Sequence, residues 1–140
     1  IRYIQNVKPL GITTAAPVQN GGSQDENLLQ MHIFPCENGD EFPKNQYTKW
    51  FDYDKIKGTL SLRHRQPGDY LTLPSGGRKT LKSWMIDEKI PRQEREQIWL
   101  LAEEKHILWI VGHRISAYYK ITEQTKTILE VEFNGGKSSG

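Results

Sequence analysis

Cysteine is almost absent from this sequence. Cys36 stands alone, so no intrachain disulfide framework can form, and a cytoplasmic setting is the expectation. Long apolar runs are missing as well. No stretch reaches the roughly 18 residues of a membrane-crossing helix, and no secretory leader is visible, so no membrane partner is expected. Metal-ligand spacing is missing too: His32, His64, His106 and His113 are scattered, and one cysteine cannot complete a zinc set. No nucleophile context is recognisable, because Cys36 lies in FPCENGDEF with no histidine beside it. Asp52 and Asp54 flank Tyr53 and read as a solvated strand end rather than an acid–base pair. Neither catalytic nor metal-binding residues are therefore expected. The chain opens on Ile1 rather than Met, which raises the expectation of a piece of a longer protein.

Nucleotide-binding loops are the next absence. The stretch LPSGGRKTLKSW, residues 73–84, has glycines followed by Arg-Lys-Thr. A Walker A loop requires G-x-x-x-x-G-K-[ST]. Here the first glycine is missing at that spacing, and Arg78 precedes Lys79. The tail offers Gly136-Lys137-Ser138, but Val131 occupies the place of the first glycine. An S-G-G-x-D-S type of ATP loop needs an Asp where Lys79 stands. No cofactor is expected in this chain. What remains is a helix start preceded by two glycines, whose free N–H groups favour an anion. An ordinary flexible loop is the equal alternative.

Basic charge is what the sequence does have, and it is concentrated. Residues 63–95 hold eight Lys and Arg against four Asp and Glu, within a chain of net charge +2. Such a segment points to a polyanionic partner or to a salt-bridged, solvated surface. Around it the pattern is mostly β. Strands are expected near 11–18, 28–34, 47–52 and 59–65, and a buried hairpin over IWLLA and HILWIV, ended by Gly112. The last strand is KTILEVEF. In GTLSLRHR, Leu60, Leu62 and His64 fall on one face and Ser61, Arg63 and Arg65 on the other, so both arginines are expected to point outward. QPGD reads as a type II turn with Gly68 at its positive-φ corner. A helix is expected over 78–87 with Leu81, Trp84 and Met85 as its buried stripe. Lys79, Lys82 and Ser83 fall away from that stripe. Asp87 and Glu88 are expected to pair with Lys89 or Arg92, and Pro91 opens a second short helix. Arg92 has Glu96 one helical turn on as a partner. Trp84, Trp99 and Trp109 read as core, and Trp50 as a lesser candidate for surface stacking. The expected class is α+β.

The ordered set RHRQPGDYL, GGRKTLKSWMIDEKIPRQER and LWIVGHRIS resembles the C-terminal domain of bacterial tRNA(Ile)-lysidine synthetases. The matching positions are Arg63, Arg65, Gly68 and Asp69; Lys79, Leu81 and Lys82; Ile90, Pro91 and Arg95; and Trp109, Gly112 and Arg114. The resemblance implies layered, sandwich-like β-sheets with two short helices on one side, similar to a domain of the phenylalanyl-tRNA synthetase β subunit. It implies a C-terminal domain over 46–134; residues 1–45 carry no family signature and read as a strand and loop segment, either the end of a preceding linking domain or an extra strand pair, and 135–140 read as a flexible tail. The parent enzyme would be an ATP-dependent ligase that converts the wobble cytidine of one isoleucine tRNA to lysidine, with ATP bound in a domain absent here. This segment alone would be no enzyme. Its partner would be tRNA(Ile), gripped at the acceptor stem, and the parent could form a homodimer. The RNA-binding candidates are Arg63, Arg65, Arg78, Lys79, Lys82, Arg95 and Arg114. A protein-interaction or dimerisation domain with merely solvated charges is the alternative.

Overall fold

The computed structural model describes residues 12–14, 29–37, 41–43 and 45–134. The loop expected within 18–28 and the tail over 135–140 lie outside the described residues. Among the described residues ten strands form two sheets. β1 (Ile12–Thr14), β4 (Leu60–Arg63), β7 (Leu100–Glu103), β8 (His106–Ile110), β5 (Tyr70–Thr72) and β6 (Arg78–Thr80) make the larger sheet in that order, with β9 (Arg114–Ile115) also paired to β8. β2 (Leu29–Pro35), β10 (Thr127–Phe133) and β3 (Thr48–Asp52) make the smaller one. Two helices, α1 (Leu81–Asp87) and α2 (Arg92–Arg95), complete an α+β architecture.

The larger sheet is covered on both faces, which explains the continuous apolar runs of β7 and β8. One face packs on the smaller sheet. Leu60, Leu62, Leu101, Leu108 and Trp109 there meet Ile33, Phe51, Leu129, Val131 and Phe133. The other face carries α1: Leu71, Leu100, Ala102, Ile107 and Ile110 meet Leu81, Trp84 and Met85. The expected helical stripe is thus the buried one. Leu108 and Trp109 are neighbours in sequence yet face the same core. A register shift between the Leu101–Trp109 and Ala102–Ile107 pairs inserts one extra residue in β8 and resets the alternation.

The β-hairpin at the edge replaces part of the expected helix. Arg78, Lys79 and Thr80 pair with Thr72, Leu71 and Tyr70, so the helix starts only at Leu81. Thr80 caps it, its hydroxyl accepting from Ser83 N at 3.1 Å. The two glycines belong to the hairpin turn. Leu73 N donates to Gly77 O and Gly76 N to Leu73 O, both at 2.8 Å, and Gly76 adopts φ +101°. Of the two readings of these glycines, an anion-holding helix start and an ordinary loop, the structure has a loop, a strand-to-strand turn, and the N–H of Leu81 is satisfied by Asp69 O at 2.9 Å.

Alternation in β4 holds, but the inference that its second face is solvent does not. Arg63 lies opposite Leu100 on the helix-bearing face and is 5% exposed. Its guanidinium forms a two-pronged pair with Asp69, both N–O distances being 2.9 Å. It also donates to His64 O at 3.0 Å and Glu104 O at 2.7 Å. Asp69 Oδ2 accepts Gln66 N at 2.8 Å across the QPGD turn, where Gly68 has φ +90° as expected. Arg63 and Asp69 of the basic motif are thus a buried clasp, and Arg63 is not available to RNA.

Other polar expectations are also rearranged. Asp87 pairs with Lys79 rather than with Lys89 or Arg92. Asp52 is buried: it caps a 3-10 turn over Tyr53–Lys55 and accepts from Thr125 Oγ1 at 3.0 Å, while Asp54 is exposed. Trp50 is half-buried, edge-on to Phe34, and its Nε1 donates to Glu130 at 3.0 Å. His64 lies against Trp99 with ring centroids 4.1 Å apart.

Candidate nucleic-acid interface

The Arg63–Asp69 clasp shapes a surface. By fixing the turn over Gln66–Gly68, it sets that turn against the start of α1 and against α2. Between them runs a groove of about 790 Å³. Four cations line it: Arg65 after β4, Lys82 in the first turn of α1, and Arg92 and Arg95 of α2. Arg65 is steadied by Glu96, with Nε–Oε2 at 2.8 Å, and its guanidinium reaches Met85 Sδ at 4.0 Å. Arg95 is steadied by its Nε donating to Ile90 O at 2.8 Å, which leaves its two terminal nitrogens. Lys82 and Arg92 are exposed and make no ion pair among the described residues. Asp69 also lines the groove, but Arg63 neutralises it, so Glu96 is the one surface carboxylate there among the described residues. The arrangement can accept successive anionic groups along one line.

Of the seven basic candidates, the groove gathers three: Arg65, Lys82 and Arg95. Arg63 lies beneath it. Lys79 shares the α1 side and is engaged by Asp87. Arg114 is exposed on β9 opposite Ile110, and so on the same side of the sheet as α1. Arg78 is elsewhere, its guanidinium 4.3 Å from the Tyr70 ring centroid. Arg92 also lines the groove; the sequence pairs it with Glu96 one helical turn on, a weak exposed pair from which RNA could still recruit it. That helical spacing fails here: α2 is only four residues long and Glu96 is its C-cap, so Arg65 takes the carboxylate.

His106, one of the scattered histidines, sits in a polar and aromatic nest that no sequence spacing announces. Its ring stacks on Tyr70 with centroids 4.6 Å apart, and its Nε2 lies 3.0 Å from Thr72 Oγ1 and 3.2 Å from Ser116 Oγ. Burial, and secondarily the charge of Arg78, holds its pKa below the ordinary value, against an opposing pull from Glu103. The unfolded chain therefore takes up this proton first. Stability contributed by neutral His106 is complete above about pH 6.5 and falls as pH drops from there toward the folded-state value. His106→Gln should flatten the pH dependence of the thermal midpoint across that window. Parallel melting curves for the variant and the parent from pH 7 downward would refute it.

The fold and groove together define a class: a two-sheet α+β module with a cationic channel on its helical face. The sequence profile of the TilS substrate C-terminal domain matches residues 60–132. The tRNA(Ile)-lysidine synthase of Caldanaerobacter subterraneus subsp. tengcongensis is 46% identical over 134 residues, covering 95% of this chain and 27% of that protein. The corresponding synthase of Clostridium tetani is 41% identical over 97 residues, 69% of this chain and 21% of that protein. A crystal structure of a TilS C-terminal domain superposes with TM-score 0.54 at 28% identity, covering 74% of this chain and 84% of the other. This chain belongs to the tRNA(Ile)-lysidine synthase family and is its C-terminal domain. It spans about a quarter of the length of these two synthases. Among the described residues no helix is long and apolar enough to cross a membrane.

Proposed function

We propose that this domain binds tRNA for a tRNA(Ile)-lysidine synthase, with the groove of Arg65, Lys82, Arg92 and Arg95 laid along the backbone of a tRNA stem, the acceptor stem in particular. The observation that carries the reading is the convergence of four cations on one channel with a single surface carboxylate. Double-stranded RNA is recognised mainly through phosphates, 2′-hydroxyls and shape, and the groove supplies charge without aromatic side chains. Lysidine formation at the wobble cytidine, with its ATP, belongs in this reading to another part of the synthase. The 140-residue chain alone should neither bind ATP at micromolar concentration in calorimetry nor modify tRNA. Either result would move the catalytic step into this domain.

Each phosphate contact adds roughly 0.7–0.9 to the magnitude of the slope of log K against log salt. Lys82→Ala with Arg92→Ala should therefore reduce that magnitude by about 1.4–1.8. Both side chains are exposed, so the melting curve should not move. Fluorescence anisotropy with an acceptor-stem duplex, from low to moderate salt, reads the slope directly. An unchanged slope and affinity would place RNA elsewhere or remove it from the account.

A further inference from the structure

A second groove, of about 650 Å³, is lined by Tyr70 and Thr72, which flank Leu71 and so point to the face of β5 away from α1. Asp69 lines one and Tyr70, the next residue, lines the other. Lys105 lies between them: it lines the second groove, and its Nζ donates to Pro67 O of the shared turn at 2.8 Å. Here the chemistry differs. Aromatic rings accompany the charge. Tyr118 is 44% exposed, the most exposed aromatic residue of this groove. It is held edge-on to buried Tyr119, with centroids 4.9 Å apart at 88°. The Tyr119 hydroxyl in turn donates to Glu103 Oε1 at 2.7 Å. The platform is therefore anchored to the core. Cations stand over the rings: Lys55 Nζ is 5.3 Å from the Tyr118 centroid and Arg78 4.3 Å from that of Tyr70. Neither Lys55 nor Arg78 forms an ion pair among the described residues. The Glu103 carboxylate does not oppose an anion freely. It accepts from Tyr119, from Lys57 N at 2.7 Å and from Gly58 N.

We propose that this second groove takes one unpaired nucleotide of a bound RNA, its base displacing Lys55 from the face of Tyr118 and its phosphate then held by Lys55 and Arg78. The proposal rests on the RNA reading above and extends it to a second site. A flat π-system with an attached anion satisfies both features of the groove, the exposed ring and the unpaired cations. Base–aromatic stacking tolerates any base. The turn over Gln66–Gly68, to which Lys105 of the second groove donates, is the edge round which a single-stranded end would turn to reach Tyr118 from a duplex in the first groove.

The test compares two RNAs by anisotropy on the 140-residue chain: a blunt duplex, and the same duplex with a short single-stranded extension. The extended RNA should bind roughly five- to a hundredfold more tightly. Tyr118→Ala should abolish that advantage without altering blunt-duplex affinity, and Tyr118→Phe should keep it. Tyr118 is exposed, so both variants should melt like the parent. Equal affinity for the two RNAs, or an advantage that survives Tyr118→Ala, overturns the proposal while leaving the groove reading intact. Failure of both RNAs to bind overturns both. Free AMP binding at Tyr118 without any advantage for the extension would make this a mononucleotide site and also overturns it. So would displacement by polyglutamate as effective as by oligouridylate, since that is a generic polyanion surface.

Discussion

Arg63→Ala is expected to destabilise the domain by about 3–5 kcal/mol, because it strands a buried carboxylate. Asp69 is 3% exposed and Arg63 supplies both of its guanidinium contacts. The same substitution removes the donors to the carbonyls of His64 and Glu104. Three segments lose a common tie at once: the end of β4, the QPGD turn and the β7–β8 turn. The thermal midpoint should fall by roughly 10–20 °C for a chain of this size. Arg63→Lys keeps the charge but not the planar fork, and should recover only part of the loss. Arg65→Ala is the contrast, since its partner Glu96 is largely exposed and such a pair contributes about 0–1 kcal/mol. Urea unfolding of the three variants checks the order. A normal melt for Arg63→Ala would mean that the clasp adds nothing to stability. Any loss of RNA binding in that variant must be separated from unfolding, which makes Lys82 and Arg92 the better probes of the groove.

Trp84→Ala should cost about 3–5 kcal/mol as a large core truncation. Trp84 is 4% exposed and lies in the cluster that seals α1 onto Leu100, Ile107 and Ile110. It also contacts His113 edge-on, with centroids 5.6 Å apart, which ties α1 to the β8–β9 turn. Its Nε1 is buried without a hydrogen-bond partner among the described residues. Trp84→Phe removes that donor together with some volume, so it should cost well under half as much as the alanine change. Because α1 carries Lys82, the alanine variant should lose RNA affinity only where it is also unfolded. Thermal melts beside anisotropy at a temperature where the variant is folded test this. A stable Trp84→Ala protein that no longer binds RNA would make Trp84 a contact residue.

Much of the fold is determined by local pattern. The apolar runs of β7 and β8, the clean alternation of β10, the Leu81–Trp84–Met85 stripe and the positive φ at Gly68 follow from side-chain periodicity and backbone sterics within a few residues. The family motifs are visible for the same reason: they are short and ordered along the chain. Pairing partners are another matter. Residues 78–80 carry no strong strand signal, and Tyr70–Thr72 recruits them as an edge strand across a two-glycine turn. Local propensity alone extends the helix over them. Whether a strand face meets water depends on what covers it, and Asp69 and the Glu104 carbonyl, which seal Arg63, lie outside β4.

The same division governs the site. Sequence by itself determines that residues 63–95 are basic, that residues 73–80 match neither the Walker A nor the S-G-G-x-D-S spacing and that the chain belongs with the synthases it resembles. Charge density and motif order are properties of the chain. Tertiary structure alone decides which charges share a channel. Arg63 and Arg65 are two residues apart, yet one is sealed against Asp69 and the other faces the groove with Lys82, Arg92 and Arg95. Lys55, Arg78 and Tyr118 are far apart in sequence, and only the folding of β5, β6 and the segment after β9 brings them to one surface. The physical reason is that desolvation and pairing are set by neighbours across the fold, and those neighbours do not exist until the sheets have formed.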